Sequence, residues 1–321
     1  MWPVMGHKWA TELLKRTLQT ERVPHALLLV GPSQVGKRTM ALAYAQALNC
    51  LGDEPPCGEC LACRKIAAGN HPDVRLFDEE GTSIKIEQIR ALQRELALSP
   101  VEGRWRVAIL TDFERATLQA ANALLKTLEE PARRVVLILT TGEPDQLLPT
   151  IVSRCQVLPL RPLSYEQVRD ALIERWGGEE AQAELLARLS GGRLGWAVAA
   201  LTEPQTLQTR AKWLDELQAL LQWGTVERFR YARQLGKDPA VTRGALTLWL
   251  SWWRDVWLAA GGCQEGLSNS DRLAEVQESA SRYGQRGAHE AMLALRDALW
   301  QLERNVNSRL ALEQLMLSLP T

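Results

Sequence analysis

The sequence predicts an α/β amino-terminal region, a phosphate-loop type of parallel sheet with helices on both faces, followed by helical segments to the end. Two observations predict it. Up to about residue 160, short apolar runs ending in turn residues alternate with stretches of helical period. Right-handed crossovers turn that alternation into a parallel sheet covered on both sides. Beyond residue 163 the strand signals stop and only helical periodicity remains.

Taken in order, "MWPVMGHKWATELLKRTL" reads as an amphipathic helix around Leu13, Leu14 and Leu18. "HALLLVGP" (25–32) is a buried strand entering a loop, and "RTMALAYAQALNC" is a helix leaving it. "DVRLF" (73–77) is a strand, "IKIEQIRALQRELAL" (84–98) a helix and "RVAILTD" (106–112) a buried strand. "QAANALLKTLEE" (119–130) is a helix and "RVVLILTT" (134–141) a strand. After "LPLRPL" (158–163), "YEQVRDALIERWG" and "EEAQAELLARLS" are helices punctuated by Gly177-Gly178 and Gly191-Gly192. From Pro204 the pattern stays helical and carries Trp213, Trp223, Trp249, Trp252, Trp253, Trp257 and Trp300. These tryptophans form either a base-stacking surface or a core and subunit interface. The lack of basic interleaving in "LTLWLSWWRDVWLAA" favours the second.

The 321 residues are 46% hydrophobic and 24% charged, with 38 Lys and Arg against 38 Asp and Glu. That composition is ordinary for a globular chain of two or three domains. The balanced charge excludes a global field for nucleic acid or an anionic membrane, so DNA contact must come from a local patch or from partners. The opening stretch lacks a signal peptide's apolar core and cleavage site, and no uncharged apolar run approaches a spanning helix. The expectation is a cytoplasmic protein with no membrane partner.

"GPSQVGKRT" (31–39) is nearly a nucleotide-binding loop. Gly31, Gly36 and Lys37 fit the G-x-x-x-x-G-K-[ST] pattern, in which backbone N–H groups and a helix N-terminus surround phosphate while the lysine reaches the outer phosphates. The next position should hold Mg²⁺ through a hydroxyl, but it is Arg38, a cation with no acceptor. Thr39 follows one residue late, rotated by about 100° around the helix. A second departure lies at "VAILTDFE": Asp112 stands where a magnesium-supporting carboxylate belongs, and Phe113 stands where the acid that activates water belongs. Glu114 either faces the same side as Asp112 or caps the next helix; the cap is the expectation. The loop therefore either binds ATP and Mg²⁺ weakly and hydrolyses poorly, or serves only as a turn.

"CLGDEPPCGECLAC" spaces Cys50, Cys57, Cys60 and Cys63 as C-x6-C-x2-C-x2-C. Four thiolates gathered this way suit a closed, tetrahedral structural Zn²⁺ site, with an iron–sulfur cluster as the competing reading. Cys155 and Cys263 stand apart and read as ordinary small buried or half-buried residues.

Together with "NHPDV" (70–74), "NALLKTLEEP" (122–131), "TIVSRCQ" (150–156) and "NVNSRLALEQL" (305–315), these stretches make the chain resemble the delta-prime type of clamp-loader subunit of bacterial DNA polymerase III, within the AAA+ superfamily. The resemblance implies an ATPase-like domain over 1–160 with a zinc module at 50–63, a helical lid over 161–203, and a helical collar over 204–321 that joins subunits. It implies loading of the sliding clamp onto primed DNA, with the motor subunits (tau/gamma) and the delta subunit as partners. It also implies that Arg154 of the "SRC" triplet is an arginine finger acting in a neighbour's ATP site, rather than the partner of a local carboxylate. Aligning "SGGRLGWAV" by its glycines puts Gly195 where hydrolysing members carry a lid arginine, with Arg193 two residues early. The reading is a non-hydrolysing or feebly hydrolysing assembly subunit. An active ATPase motor subunit needs the missing hydroxyl and acid. A zinc-dependent nucleic-acid-binding protein needs a basic face, and "CGECLACRK" sets only Arg64 and Lys65 against Asp53, Glu54 and Glu59.

Overall fold

The computed structural model describes residues 2–77, 83–263, 265–303 and 306–320, so Asn305 of "NVNSRLALEQL" lies outside the described residues. Contacts group the chain into two compact units: one runs up to Gln167 and includes Arg193–Gly195, the other joins Val168–Gly192 to the chain from Trp196 on.

The first unit opens with α1 (Lys8–Gln19), β1 (Ala26–Val30), α2 (Lys37–Asn49) and α3 (Leu61–Ala67). It continues through β2 (Val74–Phe77), α4 (Ile86–Leu96), β3 (Arg106–Leu110), α5 (Leu118–Glu129), β4 (Val135–Thr141), the short α6 (Pro149–Val152) and β5 (Gln156–Pro159). The five strands are parallel in the order β2-β3-β4-β1-β5. Strand side chains alternate between faces, and here the alternation feeds two cores. Leu27, Leu29, Val107, Ile109, Val136 and Ile138 pack with Ala10 and Leu14 of α1 and Met40 and Tyr44 of α2. Ala26, Leu28, Ala108, Leu110, Leu137 and Leu139 pack with Ile89, Leu92 and Leu96 of α4 and Leu124 and Leu128 of α5. Burial on both faces is why these strands read as continuous apolar runs.

One strand was not legible. The sequence assigns none to 156–159, yet β5 pairs with β1 at the sheet edge. Only Leu158 of its four residues is buried, so no apolar run marks it. The β3 strand stops at Leu110, two residues before the expected end, because Asp112 turns into the left-handed region with φ 46°.

"NHPDV" is a structural tie. The buried Asp73 carboxylate accepts the N–H groups of Val101, Glu102 and Gly103 at 2.7–2.8 Å and the Arg106 guanidinium at 3.1 Å. His71 Nδ1 accepts the Asp73 N–H at 3.1 Å. The loop before β3 is thereby fixed to the start of β2.

The second unit holds most of α7 (Tyr165–Trp176), then α8 (Glu180–Ser190), α9 (Leu194–Thr202) beyond its first two residues, α10 (Pro204–Leu220) and α11 (Thr225–Leu235). It ends with α12 (Pro239–Ala260), α13 (Leu273–Glu303, broken at Gly284) and α14 (Ser308–Ser318). The Asp238 side chain caps α12 and Asn307 caps α14. Trp249, Trp252 and Trp253 are fully buried among Leu214, Leu217, Leu246 and Leu312, while Trp213 and Trp223 pack half-buried against them. A buried indole cannot stack on a base, so the core reading holds for those three; Trp257 and Trp300 are exposed. Among the described residues no helix is long and apolar enough to cross a membrane.

Candidate functional site

The phosphate-type loop leaves the carboxyl end of β1, an inner strand of the parallel sheet, and opens α2; ligands of open α/β sheets bind outside the carboxyl ends of the strands. Gly31 donates its N–H to Thr141 O at 3.1 Å, and any Cβ on it would collide with the Leu160 carbonyl oxygen. Gly36 sits at φ 104°, ψ 17° as the residue before α2, a conformation that asks for glycine, and no side chain caps the helix there. Lys37 is buried, and its ammonium donates to Gly31 O at 2.5 Å and Pro32 O at 3.0 Å. Burial holds its pKa below the ordinary lysine value, while Asp112, Glu114 and Glu143 pull it partway back. Arg38 and Thr39 are both exposed on the first turn of α2.

Asp112 follows β3 and donates its backbone N–H to Thr140 Oγ1 at 3.0 Å. Phe113 is a core side chain, as its position in the apolar cluster beneath the sheet shows. Glu114 departs from expectation. It does not cap the next helix, because the Thr117 side chain caps α5. Its Oε1 instead accepts the Gly142 N–H at 3.0 Å, and its Oε2 is buried with no partner among the described residues. A short 3₁₀ turn over Phe113–Arg115 swings this carboxylate back toward the end of β4. Spacing gave no signal for that turn, since "DFE" reads as alternation in an extended chain. Gly195 donates its N–H to Gln34 O at 2.8 Å, which places it on the same loop.

Arg154 lies just after α6. Its Nη1 donates to Thr150 O at 2.9 Å and its Nη2 lies 2.8 Å from Glu129 Oε1 of α5. In the single chain Arg154 thus pairs with a local carboxylate, the alternative to the finger. The reason is in the sequence: Glu129 belongs to the "LEEP" end of α5, which α6 packs against through Ile151. Cys155 beside it is half-buried, and burial pushes its thiol up to about 12, whereas Cys263, expected to be at least half-buried, is exposed just beyond α12.

The cysteine cluster forms apart from the loop. Cys50 ends α2, Cys60 precedes α3 and Cys63 lies within it. The four sulfur atoms lie within 4.8 Å of one another. A zinc ion with about 2.3 Å bonds needs sulfurs about 3.8 Å apart, and Cys57 and Cys63 stand at 4.0 Å. Backbone N–H groups of Gly52 and Cys57 point at Cys50 Sγ, that of Cys60 at Cys57 Sγ, and that of Cys63 at Cys60 Sγ, all at 3.3–3.4 Å. Such donors favour thiolate at two of the four. Burial opposes ionisation of Cys60, but the N–H groups of Leu51 and Cys63 and the neighbouring thiols outweigh it and lower its pKa to about 6. The N–H groups of Cys60 and Glu59 lower that of Cys57, whereas burial pushes the Cys50 and Cys63 thiols up. The cluster is compatible with a structural zinc.

Comparison with known proteins gives one consistent answer. Residues 6–164 match the family described as "DNA polymerase III, delta subunit" and residues 204–321 the family described as "DNA polymerase III, delta subunit, C terminal". The DNA polymerase III subunit delta' of Bacillus subtilis is 33% identical over 312 residues, 96% of this chain and 94% of that one. Its Pseudomonas aeruginosa counterpart is 32% identical over 309 residues, covering 91% and 89%. The Bacillus subtilis tau subunit is 30% identical over 242 residues, covering 73% of this chain but 42% of its own length.

Proposed function

Because the chain belongs to the delta-prime family of DNA polymerase III clamp-loader subunits, we propose that it serves as an assembly arm whose own nucleotide pocket is idle and whose Arg154 acts on a neighbour's ATP. The partners in this reading are tau/gamma-type motor subunits and a delta subunit, which together place a sliding clamp on primed DNA. The division into an ATPase-like region over 1–160, a lid over 161–203 and a collar over 204–321 belongs to the same proposal.

The observation that carries the idle pocket is the residue that follows Lys37. Lys37 itself gives two of its three donors to the carbonyls of Gly31 and Pro32 and keeps one for a phosphate. Arg38 stands where the magnesium hydroxyl belongs, and the exposed Thr39 does not replace it. Gly31, Gly36 and Asp112 keep the shape of the site without completing its chemistry.

Arg154 suits a finger because its ties are weak. The pair with Glu129 is 35% and 50% exposed by side chain, and such pairs contribute about 0–1 kcal/mol. A neighbour's triphosphate, richer in charge and less hydrated at an interface, competes well for the guanidinium. The four cysteines Cys50, Cys57, Cys60 and Cys63 fit zinc by donor set and spacing, and would hold it as a fold-stabilising ion with no open position.

Reconstitution tests the reading. The isolated chain should show no ATP turnover. Arg154→Ala should leave its folding intact and depress the DNA- and clamp-stimulated ATPase of a loader assembled with motor, delta and clamp subunits. Robust turnover by the chain alone that Lys37→Ala abolishes, or unchanged stimulation with Arg154→Ala, would overturn it. The Glu114 carboxylate close to the loop is the one feature that favours residual hydrolysis, and the same turnover measurement decides it.

A further inference from the structure

The phosphate-type loop has an unexpected occupant on its outer side. Gly195 is the second residue of α9, and N–H groups in a helix's first turn have no acceptor within the helix. The Gly195 N–H is satisfied by the loop itself, through Gln34 O at 2.8 Å. Gln34 holds a left-handed conformation with φ 65°, costly for a residue with a side chain. The contact also has no room for a side chain. A Cβ on Gly195 would lie 2.9 Å from Gln34 O and 3.2 Å from Gln34 Cβ. The first of these neighbours is backbone, which cannot swing aside.

We infer that the loop has become an internal seat: its outer carbonyl at Gln34 holds residue 195 and its inner carbonyls at Gly31 and Pro32 hold the Lys37 ammonium, so segment 193–195 stays on the loop without nucleotide. Glycine at 195 is the residue that makes the seat, because any larger residue lifts the segment off Gln34. This rests on the idle-pocket reading and adds what the idle loop does. It also gives the missing arginine at 195 a physical meaning: the space such a side chain needs is taken by main-chain contact.

The test is hydrogen exchange on the full chain, followed at peptides covering 193–197 and 31–38, with and without millimolar magnesium–ADP. Gly195 is exposed to solvent, so protection of its amide reports the hydrogen bond and not burial. The wild-type Gly195 amide should be protected without nucleotide, and ADP should leave it unchanged. In Gly195→Ala the amide at 195 should exchange about threefold to tenfold faster, the loss of one ordinary hydrogen bond. Fast exchange in the wild type, added protection with ADP, or unchanged exchange in Gly195→Ala would each overturn the seat. The wild-type arms decide the matter even where the variant folds poorly. ATP turnover measured on the same wild-type sample separates the two readings: turnover overturns the idle pocket, whereas fast exchange without turnover overturns the seat alone.

Discussion

Arg154 and Glu129 form an ion pair at 2.8 Å between the turn after α6 and the last residue of α5. Thr150 O takes a second N–H of the guanidinium at 2.9 Å, and the whole group remains about one-third exposed. Neither contact is buried, so neither opposes release strongly.

Separate substitutions of the two partners should therefore part company. Glu129→Gln removes a surface charge and should change the stability of the isolated chain by no more than about 1 kcal/mol. In the reconstituted loader it should retain most of the stimulated ATPase. Arg154→Ala should cut turnover at the site it completes by roughly 10³-fold or more, as loss of an arginine finger does elsewhere. The total rate falls less where other sites contribute. A loss with Glu129→Gln as deep as that with Arg154→Ala would mean that the pair itself, and not the reach of the arginine, is the functional element.

Much of this site was legible in the sequence for definable reasons. The loop, the "SRC" triplet and the cysteine spacing are local, so chemistry and position are read together. The alternation of β1, β3 and β4 with helices was legible because burial on both faces makes continuous apolar runs. What escaped depends on a single turn or on distant chain. Glu114 faces Gly142 because of a 3₁₀ turn that periodicity does not mark. The pairing of Arg154 with Glu129 and of Gly195 with Gln34 joins residues brought together only by the fold. The edge strand β5 has one buried residue and no pattern to read.

The cysteine cluster predicts about one zinc per chain, with four thiolate ligands. Elemental analysis of protein purified without added metal should find zinc and no visible absorption band. Chelation, or Cys63→Ser at the most buried thiol, should expose the 50–63 segment to proteolysis while the helical unit keeps its circular dichroism. Stoichiometric iron with visible absorption would assign the site to a cluster instead.

Asp73 gives a pH dependence with a defined sign. Burial pushes its carboxyl up, but the N–H groups of Gly103, Val101 and Glu102 and the charge of Arg106 outweigh that and lower its pKa. The folded group thus titrates below the unfolded value of about 3.9. Its contribution is complete above that pH and is lost as pH falls through the folded pKa. Urea midpoints measured from pH 6 downward should fall more steeply below about pH 4 in the wild type than in Asp73→Asn. At neutral pH, Asp73→Asn should cost about 3 kcal/mol, because Arg106 is left buried without its counter-charge. Parallel acid limbs in the two proteins would show that Asp73 is not the group responsible.

Arg228 predicts how the helical unit holds its carboxyl end. The guanidinium is buried, and its donors go to main-chain oxygens: Nε to Leu220 O at 2.8 Å, Nη1 to Met316 O and Leu319 O at 2.9 and 3.0 Å, and Nη2 to Pro320 O at 2.9 Å. Three of these acceptors lie in or beyond the last turn of α14, where helix carbonyls lack partners and the helix dipole favours a cation. Burial holds the Arg228 pKa below the ordinary arginine value, yet the group remains a cation because that value is so high. Arg228→Met keeps most of the stem and removes every donor, so four carbonyls lose a charged partner. The expected cost is about 3 kcal/mol or more, read by chemical denaturation, with faster hydrogen exchange over 308–319. Arg228→Lys should fall between, since one ammonium on a flexible stem cannot span acceptors that a rigid fork reaches together. Equal stability of Arg228→Met and wild type would mean that α14 is held by Leu312, Leu315 and Met316 in the apolar core alone.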